Sequence, residues 1–227
     1  MKRVLLASAG VLAIAWATTA GAADLPRRTE IPTKAPAYLA TVYNWTGLYL
    51  GINGGGAWGR SGFESVAAPT GSFNVSGGLV GGTLGYNWQV NQAVFGLETD
   101  LDWTNIKGSS TVNCPTGCQT KNTWLGTTRA RLGFAAGNGF LPYLTGGVAY
   151  GDIKASVPGF AGASSTKAGW TVGAGLEFAL ASNWTAKAEY LYVDLGKMDC
   201  GALCGTAAPD PVKFNANILR AGLNYRF

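Results

Sequence analysis

The closing stretch of the chain shows the pattern on which a fold prediction can be based. From Leu219 to Phe227 every second residue is apolar or aromatic, whereas Arg220 and Arg226 lie on the opposite phase. A period of two places successive side chains on opposite faces of a β-strand. The same alternation begins near residue 45, and no helical period of useful length interrupts it. It predicts eight strands, at residues 45–58, 75–88, 93–106, 121–136, 140–154, 167–180, 184–197 and 213–227.

The connections between the predicted strands alternate in length. Those after the second, fourth and sixth strands are short: 89–92, 137–139 and 181–183. The others are long and rich in Gly, Ser, Thr and Pro: 59–74, 107–120, 155–166 and 198–212. An even number of antiparallel strands with short turns at one end and long loops at the other is typical of a transmembrane barrel. The sequence therefore predicts an all-β protein, an eight-stranded antiparallel transmembrane β-barrel with its long loops on the cell exterior.

Charged residues in the middle of these strands share one phase. Five are acidic and five are basic: Glu98, Asp100, Asp102, Glu177 and Glu189, against Arg129, Arg131, Lys187, Arg220 and Arg226. Equal numbers suit a closed polar interior, because a buried charge needs a partner. We expect acids beside bases on adjacent strands, with Glu98 and Asp100 near Arg129 and Arg131, Glu177 near Lys187, and Glu189 near Arg220. Two alternatives remain open: solvated surface charges, or a soluble barrel with an apolar cavity.

Aromatic residues mark both ends of the predicted strands, which favours lipid around the apolar face. The predicted girdle consists of Trp45, Trp58, Trp88, Trp103, Trp124, Trp170, Trp184 and Tyr192. Two such belts at the membrane interfaces are typical of outer-membrane barrels. We expect the last strand to close the barrel against the first, because an unpaired backbone is costly in lipid.

The first 22 residues predict a cleaved signal peptide. Two basic residues precede an apolar run from Val4 to Ala17, and Ala20-Gly21-Ala22 fits a small-residue cleavage site, with cleavage after Ala22 or Ala23. An uncleaved membrane anchor is the alternative, although the apolar run is shorter than the roughly 20 residues that a membrane helix needs. Residues 23–43 contain three prolines and predict a periplasmic linker, which leaves 44–227 for the barrel.

The composition of the chain excludes some classes of activity and of partner. The chain has no histidine, so the usual Ser–His pairing of hydrolases is excluded. Two of the 17 basic residues lie in the predicted signal peptide, and the remaining small excess over 12 acidic residues shows no clustered basic face. We expect no nucleic-acid partner, no catalytic residue, no cofactor and no metal.

The four cysteines form two close pairs, Cys114 with Cys118 and Cys200 with Cys204. In an exported chain this spacing predicts one disulfide within each pair. The other two connectivities and a zinc site made of four thiolates are the alternatives.

Several short motifs extend the prediction: Ala23-Asp24-Leu25-Pro26, Asn44-Trp45-Thr46-Gly47-Leu48-Tyr49-Leu50-Gly51, Pro142-Tyr143-Leu144-Thr145-Gly146-Gly147, Lys187-Ala188-Glu189-Tyr190-Leu191-Tyr192 and Asn224-Tyr225-Arg226-Phe227. In order and spacing they resemble the small outer-membrane β-barrel proteins of Gram-negative bacteria, in the porin-family or outer-membrane immunogenic protein branch. The resemblance spans nearly the whole chain. It implies contact with outer-membrane lipids, passage past periplasmic chaperones, and insertion by the barrel-assembly machinery, which would recognise the terminal strand with Tyr225 and Phe227. The cysteine pairs are not part of this pattern.

The sequence thus predicts a structural role in the envelope, with loops presented at the surface. A narrow porin for ions or small solutes is the first alternative, and an enzyme acting on outer-membrane lipid is the second. The oligomeric state is left open.

Overall fold

The structure is a computed structural model that describes residues 43–63, 71–112, 117–156, 158–159, 162–199 and 211–227. The predicted signal peptide (1–22) and the predicted linker (23–43, apart from residue 43) lie outside the described residues, as do Cys114, Cys200 and Cys204. Cys118 is the first residue of a strand and is buried. The domain division and the disulfide pairing therefore stay predictions.

Eight strands account for nearly all of the described residues. They are β1 (Gly47–Phe63), β2 (Gly71–Val90), β3 (Ala93–Ser110), β4 (Cys118–Phe134), β5 (Phe140–Ser156), β6 (Ala163–Ala179), β7 (Trp184–Asp199) and β8 (Pro211–Arg226). Each strand pairs antiparallel with the next, and β8 pairs antiparallel with β1, from Tyr49 opposite Arg226 to Phe63 opposite Val212. The predicted eight-stranded antiparallel barrel is confirmed. The described residues contain no helix that is long and apolar enough to span a membrane.

The strands are longer than predicted at one end of the barrel. β1 continues to Phe63 and β8 begins at Pro211, so the predicted long loops are wrong at their edges. The connections that remain there are 64–70, 111–117, 157–162 and 200–210. On the outer face the apolar residues stop before the strands end, and polar residues such as Arg60, Asn74 and Asn215 follow. The backbone pairing continues through these positions.

The connections at the other end are short: 91–92, 135–139 and 180–183. Two of them contain residues with positive φ, Asn91 at 56° and Asn138 at 49°, and Gly137 and Gly139 flank Asn138 at 78° and 70°. Asn and Gly adopt this left-handed conformation at the least cost, which explains the tight reversals. We call this the short-turn end, and the opposite one the long-loop end.

Side chains fill the interior, as eight strands require. The filling changes along the barrel axis. Toward the short-turn end the buried inward-facing side chains are mostly polar or charged. Toward the long-loop end they form an apolar cluster, whose larger members are Val75, Leu79, Ile106, Leu125, Ile153, Leu191, Val193, Leu195, Phe214 and Ile218. The long-loop half is therefore packed as a soluble barrel is, with apolar side chains inside.

Around the middle of the barrel and toward the short-turn end, the outer face is apolar and exposed. Its large side chains include Leu50, Ile52, Leu84, Leu97, Leu101, Leu132, Leu144, Val172, Leu176, Leu219 and Leu223. A water-soluble monomer does not expose a continuous apolar surface of this kind. The surface indicates a lipid environment around the middle and the short-turn end.

Candidate functional site

The candidate site is the charged interior of the barrel. Nine of the ten charged residues predicted for the interior are buried and face the lumen: Glu98, Asp100 and Asp102 on β3, Arg129 and Arg131 on β4, Glu177 on β6, Lys187 and Glu189 on β7, and Arg220 on β8. Their alternation with exposed apolar residues in each strand directs them inward. The structure brings these nine together in one network.

Arg129 lies at the centre of the network. Its side chain is fully buried, and its guanidinium contacts three carboxylates: Glu189 Oε1 at 2.7 Å, Asp100 Oδ2 at 2.8 Å and Glu98 Oε1. Its Nε donates a hydrogen bond to Thr127 Oγ1 at 2.8 Å. These partners lie on β3, β4 and β7, so one side chain links strands that are not neighbours.

Arg220 is the second centre, on β8. Its Nε and Nη2 donate to Glu189 Oε2 at 2.9 and 2.8 Å, which is a two-point contact. Its Nη1 donates to Asp102 Oδ2 at 2.8 Å, and its Nη2 also donates to Asp100 Oδ2 at 2.8 Å. Asp100 and Glu189 are therefore shared with Arg129, which joins the two centres into a single network.

Arg131 and Lys187 extend the network toward the short-turn end. Arg131 Nη2 donates to Glu177 Oε2 at 2.6 Å, and Lys187 Nζ donates to Glu98 Oε2 at 2.9 Å. The backbone register places Glu177 opposite Lys187, as expected, but each charged group bonds to a residue of a non-adjacent strand instead of to the other. Long side chains reach these partners because the interior of an eight-stranded barrel is narrow.

Two tyrosines belong to the network although the sequence analysis gave them no role. Tyr49 OH donates to Glu98 Oε2 at 2.8 Å and accepts from Arg131 Nη1 at 2.8 Å. Tyr143 OH donates to Glu189 Oε1 at 3.1 Å, and the guanidinium carbon of Arg131 lies 3.9 Å from the centre of its ring. The available signal was their alternation with apolar residues of the opposite phase, such as Leu48 and Leu144, which are exposed.

Small polar side chains complete the network. Thr127 Oγ1 donates to Asp100 Oδ2 at 2.8 Å, and Asn224 Nδ2 donates to Glu177 Oε1 at 2.9 Å. Thr185 Oγ1 also donates to Glu177 Oε1. Short polar residues are common on any strand surface, so the sequence alone does not distinguish these three.

Arg226 lies apart from the other nine. It is near the end of β8, where its Nη2 donates to Ser182 O at 3.2 Å and its guanidinium carbon lies 4.4 Å from the ring centre of Tyr43. The structure does not bring it into the network, because its strand position is at the rim. Partial burial raises the pKa of the Tyr43 phenol above 10.0, although the nearby Arg226 charge acts to lower it.

The prediction that Trp45 belongs to the aromatic girdle is wrong. It is only 2% exposed and packs with Val94, Ala135 and Leu141 in a second apolar cluster, against which Tyr43 lies. Trp45 precedes β1, so it is not subject to the alternation of that strand and folds over the short-turn end of the lumen. The charged network thus lies between an apolar cap at this end and the larger apolar cluster at the other.

The other predicted girdle residues lie on the outer face. Trp58, Trp88, Trp103, Trp170 and Trp184 are exposed, and Trp124 and Tyr192 are partly exposed. Tyr225 and Phe227, the predicted insertion signal, are also exposed, at 37% and 71%. The positions are compatible with lipid contact, whereas the roles of these residues stay predictions.

The buried side-chain atoms without a partner are mainly oxygens. Within the described residues they are Asn53 Oδ1, Asn87 Oδ1, Asp100 Oδ1, Asp102 Oδ1, Asn224 Oδ1 and Arg226 Nη1. No group of three or more His, Cys, Asp or Glu residues in this part of the chain is arranged to hold a metal ion. Since the carboxylates bond to guanidinium, ammonium, hydroxyl or amide groups, the chemistry of the site is ion pairing.

Comparison with known proteins identifies the family. Residues 11–227 match the family described as "Outer membrane protein beta-barrel domain". The chain belongs to this family. It is an outer-membrane β-barrel protein, as predicted, and its exposed apolar face meets the lipid of that membrane.

Two relatives agree with this assignment. The chain is 42% identical over 248 residues to the 31 kDa outer-membrane immunogenic protein of Brucella melitensis, with 100% of both chains covered. It is 35% identical over 184 residues to the 22 kDa outer membrane protein of Rhizobium leguminosarum bv. viciae, which covers 81% of this chain and 79% of that protein. Among solved structures, Neisserial surface protein A matches with a TM-score of 0.49 and 18% identity, covering 80% of this chain and 98% of the other.

Proposed function

We propose that this outer-membrane barrel has a structural role in the envelope and that its interior is a closed plug. The observation that carries the proposal is the shared pairing of Arg129 and Arg220, which connects carboxylates on β3 and β7 through bases on β4 and β8. A solute could pass only if several of these contacts opened together. An unpaired charge in such a low-dielectric space is costly, so the closed arrangement is strongly favoured.

The apolar clusters support the same proposal. The cluster around Ile106, Leu191 and Phe214 fills the long-loop half, and Trp45 with its neighbours covers the other end. Open porins have about 16 to 18 strands and leave an aqueous channel, whereas eight strands leave room only for side chains. The narrow porin predicted as the alternative would need a path through three successive packed layers.

The orientation proposed for the barrel places its long loops outside the cell. The strands contain 16 to 20 residues, although a tilted strand needs only about 9 to 11 to cross a bilayer. The surplus lies at the long-loop end, where the outer face is polar and the inner face is apolar. This end is therefore suited to project into water and to carry the connections as surface loops.

We propose no enzymatic activity for the barrel. Histidine is absent from the chain, and Glu98, Asp100 and Glu189 each bond to two or more basic groups. A carboxylate held in this way is not free to take up a proton from a substrate.

We further propose that a signal peptide at 1–22 directs export of the chain. Periplasmic chaperones and the barrel-assembly machinery then assist insertion, which uses the strand that carries Tyr225 and Phe227.

Conductance of the purified barrel in planar bilayers tests the plug. The wild type should show no stable large conductance, because the network and both apolar clusters close the lumen. Arg129→Ala should give irregular, transient openings, while Arg60→Ala, a change on the exposed outer face, should behave as the wild type does. Reproducible steps proportional to salt, with the same size in the wild type and in Arg129→Ala, would support the narrow porin instead.

A further inference from the structure

Three lysines lie in direct register on the outer face of neighbouring strands. Lys107 of β3 is paired with Lys121 of β4, and Lys121 is paired with Lys154 of β5. All three side chains are exposed. Residues directly opposite in an antiparallel pair have Cβ atoms about 4.5–5.5 Å apart. We call this set the lysine row.

The charge of the lysine row is poorly compensated. Like charges directly opposite each other destabilise a sheet. Lys107 and Lys121 have no hydrogen-bond or ion-pair partner among the residues that the structure describes, and Lys154 Nζ lies 3.4 Å from Asp152 Oδ2. That carboxylate also accepts hydrogen bonds from the backbone N–H groups of Thr123 and Trp124, at 2.7 and 3.0 Å. Among the described residues, Lys154 alone of the three therefore has a carboxylate within ion-pair distance.

The position of the row indicates what could neutralise it. It lies just beyond Trp103, Trp124 and Tyr150 on the way to the long-loop end. Trp103 is paired with Trp124, whose ring centre is 6.3 Å from that of Tyr150. Aromatic residues of outer-membrane barrels lie at the level of the lipid head groups. The row is thus at the level where lipid phosphates lie.

We propose that the lysine row binds the phosphate-bearing head group of an outer-membrane lipid, whose acyl chains lie along the apolar outer face of β3 to β5. Lysine ammonium groups bind phosphate as compact positive charges. The row spans three strands, so two or three ammonium groups can approach one head group. The sequence showed no basic cluster because strand pairing, and not proximity along the chain, brings these residues together. The assignment to the outer leaflet rests on the orientation proposed above, whereas binding itself does not.

Native mass spectrometry of the purified full barrel in zwitterionic detergent tests the proposal. The barrel is titrated with phosphatidic acid, and with phosphatidylcholine of the same acyl chains. Phosphatidic acid should bind more tightly, and the triple variant K107Q/K121Q/K154Q should weaken its binding on the order of a hundredfold. The matched control is R60Q, because Arg60 is exposed on the outer face of β1 at the same end of the barrel and pairs with Asn74 and Asn215 rather than with another basic residue. It should change binding by less than about twofold.

Measurement of the Tm distinguishes loss of lipid binding from failure of a variant to fold. K121Q removes the central like charge, so without phosphorylated lipid its Tm should equal or exceed that of the wild type. Phosphatidic acid should then raise the Tm of K121Q less than it raises that of the wild type. Equal binding of the two lipids, an unchanged triple variant, or displacement of lipid by equimolar inorganic phosphate would each overturn the proposal. Neither readout depends on conductance, so the result is independent of whether the lumen is a plug.

Discussion

Lys187 of β7 donates a hydrogen bond to Glu98 of β3 at 2.9 Å, although the two residues are 89 positions apart in the chain. Three strands lie between β3 and β7 in each direction around the barrel. The two residues meet because the closed sheet is narrow enough for side chains on opposite walls to touch. Contacts of this kind tie together strands that share no backbone hydrogen bonds, so the interior stabilises the closure of the sheet itself.

Replacing Arg129 should destabilise the barrel strongly. Arg129→Ala leaves Glu98, Asp100 and Glu189 each without one of their basic partners in a buried site, and removing one member of a buried ion pair costs about 3–5 kcal/mol. Urea unfolding followed by tryptophan fluorescence in detergent measures the change. Arg60→Ala is the control, because an exposed surface change is expected to stay within about 0.5 kcal/mol. Equal midpoints for the two variants would contradict the network as a source of stability.

Two glycines offer a matched pair of identical changes. A Cβ added at Gly85 of β2 would overlap the ring of Tyr49, whereas one added at Gly56 of β1 meets nothing within 4 Å. Gly85→Ala should therefore displace Tyr49 from Glu98 and lower stability by about 1–3 kcal/mol. Gly56→Ala should be neutral or slightly stabilising, because alanine restricts the unfolded chain. The same unfolding assay compares them, and a larger loss for Gly56→Ala would show the packing of Tyr49 to be wrong.

Trp45 and Trp58 should respond differently to lipid. Trp45 is buried where it covers the short-turn end of the lumen, while Trp58 is 48% exposed on the outer face. In vesicles that contain brominated lipid, Trp58→Phe should remove emission that the lipid quenches, and Trp45→Phe should remove emission that it does not quench. The proteins are compared in brominated and unbrominated vesicles of otherwise equal composition. Quenching of Trp45 as strong as that of Trp58 would return Trp45 to the aromatic girdle.

Labelling of intact cells should distinguish the two ends of the barrel. Tags inserted within 64–70 or 200–210 should be accessible from outside, because the long-loop end is proposed to project from the cell. Tags at 91–92 or 180–183 should become accessible only after the outer membrane is permeabilised. Labelling at the short turns of intact cells would reverse the proposed orientation, provided that the tagged proteins remain folded.

The alternation of the sequence determined the eight strands, their antiparallel order and the phase of the charged residues. It did so because a period of two is a local property that every strand of a two-sided sheet must obey. The pairs Lys187–Glu98 and Arg131–Glu177 were decided by the tertiary structure, because partners on non-adjacent strands depend on the curvature and closure of the sheet and not on backbone pairing. The ends of the strands were also missed, because polar residues at Arg60 and Asn215 mask strands that continue in water.

The tertiary structure also decided which face of each strand lies inside the barrel. Hydrophobic periodicity tells which face of a strand is apolar, but which face is inside depends on the solvent around it. In the lipid-facing part the apolar side points outward and the charges of Glu98 and Arg129 point inward. At the long-loop end the relation is reversed, so that Ile106 and Phe214 point inward and Lys107 and Lys213 are exposed. Trp45 precedes the first strand and follows neither rule, so only the closed fold placed it over the lumen.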